Sequence, residues 1–253
     1  MKSSIIKHQH PLEILASAGR FGVIALATDF NIETDLAQLY PQDVRFFTTR
    51  VNSLHPLTIE NLRKMEPLIS DSAANILPGT KLDVMIYACT SGTIAIGIKR
   101  IEQLIHHTHP NIAVTNPVSA ALAAFKHYGV ARISILTPYT QAVNNEMAEF
   151  FISQGIEVLN ITGFGFEDDT AMSFISPQDI YQAALSATQT DTELLFISCT
   201  ALRATSVIDK LEETLNIPVI SSNQLLAWHS LKLVNYTKGQ AGFGSLLDRG
   251  LTD

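Results

Sequence analysis

The sequence predicts an α/β chain built as two pseudo-symmetric, doubly wound lobes, each around a four-stranded parallel sheet. Three observations carry this. Short β-branched, apolar runs alternate with longer helix-period segments from end to end, the pattern of parallel strands joined by right-handed helical crossovers. The runs DVMIYA and ELLFIS are almost continuously apolar, as strands buried on both faces should be. The third observation is an internal repeat. YACTSGTIAIGIKRIEQ around Cys89 resembles FISCTALRATSVIDKLEE around Cys199, 110 positions later. Asp29 lies 60 positions before Cys89, and Tyr139 lies 60 before Cys199. A strand ending in Asn follows each cysteine, at Asn116 and at Asn223. Two equal offsets and one motif order mark a duplicated unit.

In chain order, strands are expected at 21–27, 44–50, 84–88, 112–115, 133–136, 156–161, 194–197 and 219–221. Their runs are short, β-branched or aromatic, and bounded by turn residues. Helices are expected at 31–39, 58–76, 93–106, 118–128, 141–154, 177–187 and 204–215, where apolar residues recur at helical spacing. Ser176 and Pro177 pair an N-cap with a first-turn proline.

Composition narrows the function classes. The chain has 253 residues, 46% hydrophobic and 16% charged, which suits a folded core and excludes a disordered chain. Lys and Arg total 17 against 24 Asp and Glu, a formal net charge of −7. A sequence-independent nucleic-acid binder needs a basic stripe to displace counterions, and no such run occurs. Adhesion to anionic lipid is excluded on the same ground. No apolar run approaches the ~20 residues of a membrane span, and the N-terminal segment lacks a continuous apolar signal core. A cytoplasmic location is expected, with Cys89 and Cys199 as thiols.

Each cysteine falls where a strand is expected to stop and a helix to begin. Backbone N–H groups of Thr90, Ser91 and Gly92, and of Thr200, Ala201 and Leu202, would then be the open donors of a helix start, suited to a carboxylate. The same dipole is expected to lower the thiol pKa. Gly92 is expected to give the backbone a tight turn, and Thr90, Ser91, Thr93 and Thr200 to add hydroxyl donors. One cysteine alone would read as a small buried hydrophobe. A repeated pair, each followed by Thr, reads as chemistry. Two thiols on opposite walls of one cleft permit proton removal from one face of a carbon and return to the other. They also permit thiolate addition to a double bond, rotation and elimination.

The segments ATDFNIE, YACTSGTIAIG, TNPVSAALAAF, LTPYTQAVN, ISCTALRATSVID and SSNQLLAWH resemble the aspartate/glutamate racemase superfamily. Within it they resemble the maleate cis-trans isomerase and arylmalonate decarboxylase branch, nearest the ectoine-utilisation subgroup. The likeness spans about residues 20–230. It implies an isomerase of a small carboxylate with no cofactor and no metal, forming a homo-oligomer. It also implies helices that cross over after Asn116 and Asn223, so that residues 1–115 plus 224–253 make the first lobe and 116–223 the second. Cys89 and Cys199 match the two catalytic cysteines. Thr90 and Ser91, with Thr200 and Ala201, match the carboxylate-holding turns, and Tyr139 matches a substrate-binding tyrosine. Tyr139 also reads as a packed turn residue after Pro138. Decarboxylases of the branch have glycine at the first cysteine, so two cysteines argue against that alternative. A non-catalytic two-lobed small-molecule binder is the other alternative.

Two positions depart from the maleate isomerases. Asp29 and Asp169 stand where those carry asparagine, with Asp168 adjacent to the second. An ionised Asp repels a carboxylate and attracts a cation, which points to an amino acid or a cyclic amidine of the ectoine type. Asp29 reads equally as the cap of the 31–39 helix.

Other features carry less. His106, His107 and His109 read as a helix C-terminus rather than a metal site. His8 and His10 fall in a terminal tail. Trp228 and His229 read as packed in an apolar helix. GFGFEDD lacks a dinucleotide spacing. Arg203 either pairs with a carboxylate at the cleft or faces solvent.

Overall fold

The computed structural model describes residues 1, 3–13 and 15–252. The first sheet has the order β2-β1-β3-β4, with β1 at Gly19–Leu26, β2 at Val44–Val51, β3 at Val84–Ala88 and β4 at Ala113–Thr115. The second repeats the same order as β6-β5-β7-β8, from β5 (Arg132–Tyr139), β6 (Glu157–Phe166), β7 (Leu194–Ile197) and β8 (Val219–Ser221). Every pairing is parallel. The two four-stranded lobes expected from the repeat are therefore present. The inner strands β3 and β7 are buried throughout, which is why their sequences show no polar alternation. No helix among the described residues is long and apolar enough to cross a membrane.

Helix boundaries differ from expectation where backbone chemistry intervenes. After α1 (Ile32–Leu39), the 58–76 segment is two short helices, α2 (Ile59–Arg63) and α3 (Ile69–Ala74), around a 3₁₀ turn at Glu66–Leu68. Pro67 lies in that turn and lacks the N–H an α-helix needs. The 93–106 segment starts earlier, as α4 (Thr90–Ile96), and continues as α5 (Ile98–His106). Gly97 separates them at φ +97°, a conformation open to glycine. The 204–215 segment opens with a 3₁₀ turn at Thr205–Val207, and only Ile208–Leu215 is α-helical. The short helix Asp169–Ser173 was not expected. The Ser176 cap is as expected, accepting from the Asp179 N–H.

Two helices tie the lobes together. The helix Pro117–Tyr128 places Phe125 against Phe151 and Phe196 of the second lobe, at ring-centroid distances of 5.7 and 6.4 Å. The helix Ser222–Leu233 returns to the first lobe. There Ser230 shares a 2.7 Å hydrogen bond with Tyr40, and His229 one of 2.7 Å with Thr115. Trp228 is buried and donates to the Gly250 carbonyl. At the start of this helix the Ser222 hydroxyl accepts from the Cys199 N–H at 3.0 Å and bonds Thr90 Oγ1 at 2.9 Å. Beside it, Asn223 donates to Asp35 at 2.7 Å and to the Thr200 carbonyl at 2.9 Å.

Two predictions come from this junction. Ser222→Ala leaves the buried Cys199 N–H without its acceptor, so stability should fall by about 1–3 kcal/mol, read as a lower Tm. Burial lowers the His229 pKa from 6.5 to about 4. The unfolded chain then takes a proton near pH 6.5 that the folded chain refuses until about pH 4. This contribution is present above pH 6.5 and is lost as pH falls through that window. Urea unfolding should show a loss of order 2 kcal/mol from this group, absent in His229→Asn.

Candidate active site

The carboxyl ends of the two sheets face one narrow cavity. Its lining includes Asp29, Cys89, Thr90, Ser91, Tyr139, Asp169, Cys199, Thr200 and Ala201, together with Leu26, Thr28 and Leu57. All nine residues singled out from the sequence thus meet at one place, although they come from five separate stretches of chain. The cavity is closed down to about 10 Å³, room for about one water molecule.

The first cysteine turn is as expected. Cys89 is the N-cap of α4, and its Sγ accepts from the Gly92 N–H at 3.2 Å. Ser91 Oγ lies 3.8 Å from the same sulfur. Gly92 is required for a different reason from the one expected. A Cβ there would lie 2.8 Å from Cys89 Sγ and 2.8 Å from the Tyr87 hydroxyl, so the constraint is space beside the thiol. Thr93 turns inward and donates to the Cys89 carbonyl at 2.6 Å.

The second turn departs from the repeat. No α-helix starts directly after Cys199, because Thr200–Ala204 is irregular up to the 3₁₀ turn. Cys199 has φ +139°, a region a side chain rarely adopts. The Tyr139 side chain and the Ala201 backbone both favour ionisation of its thiol, against burial. Tyr139 is buried and lines the cavity with both cysteines. The hydroxyls of Thr90 and Thr200 are engaged across the junction, with Ser222 and with the Ala88 carbonyl respectively.

The expected lowering of the thiol pKa is overturned. Burial raises Cys89 to about 12, against the smaller opposing effect of the Gly92 N–H. Cys199 is raised as well, again chiefly by burial. The charges of Asp29 and Asp169 push both thiols further in the same direction. Desolvation outweighs the single donor that each turn supplies.

Asp29 caps a helix and also lines the cavity. Its Oδ1 accepts from the Asn31 and Ile32 N–H groups at 2.8 and 3.0 Å, capping the helix Ile32–Leu39. Its Oδ2 is buried without a partner. In the second lobe Asp169 faces the cavity, while Asp168 is exposed and caps its helix through the Thr170 N–H. Thr28 donates to Asp169 across the cleft at 3.2 Å. Burial raises the Asp169 pKa. Arg203 does neither of the things expected of it. Its guanidinium donates to the carbonyls of Phe174 and Ile175.

Further bonds clasp the lobes over the cavity. Asn31 Nδ2 donates to the Ser173 carbonyl at 3.1 Å and to the Ala201 carbonyl at 2.5 Å. The Leu57 N–H donates to the Glu167 carbonyl at 2.8 Å. Outside the clasp, Phe30 and Phe174 are exposed and pair at 5.4 Å. Sequence reasoning missed Ser222, Thr28 and Asn31, since short polar residues beside a motif carry no signal of their own.

Comparison with known proteins agrees with this geometry. The chain is 21% identical to the maleate isomerase of Alcaligenes faecalis over 229 residues, 84% of this chain and 90% of that one. It is 23% identical to the arylmalonate decarboxylase of Bordetella bronchiseptica over 245 residues, 92% and 98% of the two chains. Its fold matches a cysteine-to-serine variant of the Nocardia farcinica maleate cis-trans isomerase that carries a covalently bound succinylcysteine intermediate. The TM-score is 0.83 at 18% identity, covering 91% of this chain and 98% of that one. The arylmalonate decarboxylase family profile matches residues 21–247, and the chain belongs to that family, in the branch that the motifs around Cys89 and Cys199 resemble.

Proposed function

We propose that the chain is a cofactor-independent isomerase of a small carboxylate, with Cys89 and Cys199 as its reacting groups. One observation carries this. Two thiols, each delivered by its own copy of a duplicated strand–turn unit, line a single cavity. The relatives named maleate isomerase support the reaction class. In the addition route one thiolate forms an S–C bond as the π pair moves onto the other carbon and into its carboxylate, the adduct rotates about the resulting single bond, and the pair returns to reform the π bond as the S–C bond breaks and thiolate leaves. The succinylcysteine in the Nocardia farcinica enzyme favours this route there. In the proton route one sulfur takes a proton from carbon and the other returns one to the opposite face. Tyr139 lines the cavity with Cys199 and favours ionisation of its thiol, so its hydroxyl is the group that can pass that sulfur's proton on.

The decarboxylase reading has the family profile and the Bordetella bronchiseptica relative behind it. The second thiol favours the isomerase, because a decarboxylation needs only one proton donor at the carbanion. The binder reading leaves a thiol pair in one cavity without a purpose.

A panel of maleate, aspartate and a cyclic amidine acid of the ectoine type, followed by NMR in D₂O, tests the proposal. Cis-trans conversion or inversion of at least one compound is expected. Solvent deuterium in the product selects the proton route, and its absence selects addition. Cys89→Ala and Cys199→Ala should each reduce turnover by about 10³-fold or more, and full activity in either removes the two-thiol mechanism.

The raised thiol pKa values set a second expectation. Alkylation of Cys89 in the free protein should be slow at neutral pH. It should rise about tenfold per pH unit on the way toward pH 12, following the thiolate fraction. Iodoacetamide labelling read by peptide mass spectrometry measures it. Rapid labelling at pH 7 would mean that the cavity holds a thiolate at rest.

A further inference from the structure

We infer that the substrate is a zwitterion: besides its carboxylate it carries a positively charged group, which is seated by Asp29 and Asp169. This rests on the isomerase reading for the identity of the cavity and goes beyond it in naming the charge of the ligand.

Three observations on the site point the same way. Asp29 is 4% exposed and Asp169 6% exposed, and both line the cavity that holds the thiols. Thr28 binds Asp169 across the cleft and immediately precedes Asp29, which brings the two acids, one from each lobe, to the same side of the cavity. The second oxygen of Asp29 is buried and has no hydrogen-bond partner. A buried, unpartnered carboxylate oxygen is costly, and Oδ1 alone performs the helix cap. The cap therefore explains the residue only in part. What remains is an acceptor that a ligand donor would satisfy.

The protein itself supplies no cation to this place. None of the twelve lining residues is Lys, Arg or His. Arg50 approaches from behind, but its guanidinium binds the Leu26 and Asp29 carbonyls and pairs with Glu33. Arg203 is held on the carbonyls of Phe174 and Ile175. The exposed His55 interacts with Asp169 electrostatically but is not among the residues that line the cavity. Among the described residues no group of three His, Cys, Asp or Glu side chains is arranged to hold a metal ion. The positive charge must then come with an organic ligand. An amine or amidine can donate to both acids, whereas a second carboxylate would meet two charges of its own sign.

The same charge bears on the chemistry. Both acids oppose ionisation of both thiols. A ligand cation between the acids and the sulfurs cancels that opposition, so the thiolate forms more readily with substrate in place than without it.

Calorimetric titration of the wild-type protein with three four-carbon cis acids tests the inference: maleate, maleamate and cis-4-aminocrotonate, of net charge −2, −1 and 0. The expected order of affinity is cis-4-aminocrotonate, then maleamate, then maleate. Asp29→Asn keeps an acceptor for the helix cap, and Asp169→Asn is an independent second variant. Each should weaken cis-4-aminocrotonate by about ten- to a hundred-fold and narrow or reverse its advantage over maleate. Tightest binding of maleate by the wild type overturns the inference. So does absence of cis-4-aminocrotonate binding, or an unchanged preference in both variants. The readout is binding alone. A protein that prefers the zwitterion but turns nothing over therefore removes the isomerase reading and keeps this one. A protein that isomerises maleate and binds it best does the reverse.

Discussion

The hydroxyl of Ser222 is the contact on which the rest of the site depends. It receives the backbone N–H of Cys199 from the second lobe and bonds the Thr90 hydroxyl next to Cys89 in the first. A reaction between two walls needs their separation fixed to within a fraction of an ångström. Each lobe is rigid on its own through its parallel sheet, but neither sheet reaches the other. Registration falls to the helix Ser222–Leu233, which starts between the two cysteine turns and then packs on the first lobe through Ser230 and His229. Asn223 extends the tie to Thr200 and to the buried Asp35.

Burial governs the electrostatics of the cavity. Two thiols and two carboxylates are removed from water together, and each carboxylate makes ionisation of each sulfur harder. The resting site therefore holds neutral thiols. That protects them from adventitious alkylation and oxidation, which require the thiolate. The duplicated halves have also diverged. The Cys89 turn is an unstrained helix cap, while the Cys199 turn holds a positive φ and is held by Ser222 through its N–H. Backbone strain of this kind persists only where neighbours over-determine it.

The architecture was legible because its signals are cumulative. Strand residues such as Val84–Ala88 and Leu194–Ile197 are buried on both faces, so their apolar runs survive in the string. The repeat then placed both cysteines, with Asp29 and Tyr139 at equal offsets before them. Single-residue effects were harder to read. Gly97 and Pro67 break helices that periodicity alone would continue. The helix expected after Cys199 does not form, although the sequence FISCTALRATSVID resembles its partner. The direction of the thiol pKa was misread because a helix dipole is visible as a motif, whereas desolvation depends on what packs around the sulfur. Ser222 and Asn31 were invisible for a related reason, since Thr90 and Ala201, which they bind across the lobes, lie more than a hundred residues away.

The clasp formed by Asn31, Leu57 and Thr28 has a consequence for affinity. With about 10 Å³ free, the closed molecule has no room for a four-carbon acid, so only molecules in which the lobes have parted can admit one. A ligand's apparent dissociation constant is then its intrinsic constant divided by the open fraction. Every hydrogen bond that holds the lobes shut lowers that fraction, and the same bond, remade over the ligand, slows its escape. Weakening the Asn31 bonds to Ser173 and Ala201 would thus quicken both arrival and departure. The lifetime of the bound state is set as much by these carbonyls as by the groups that touch the ligand.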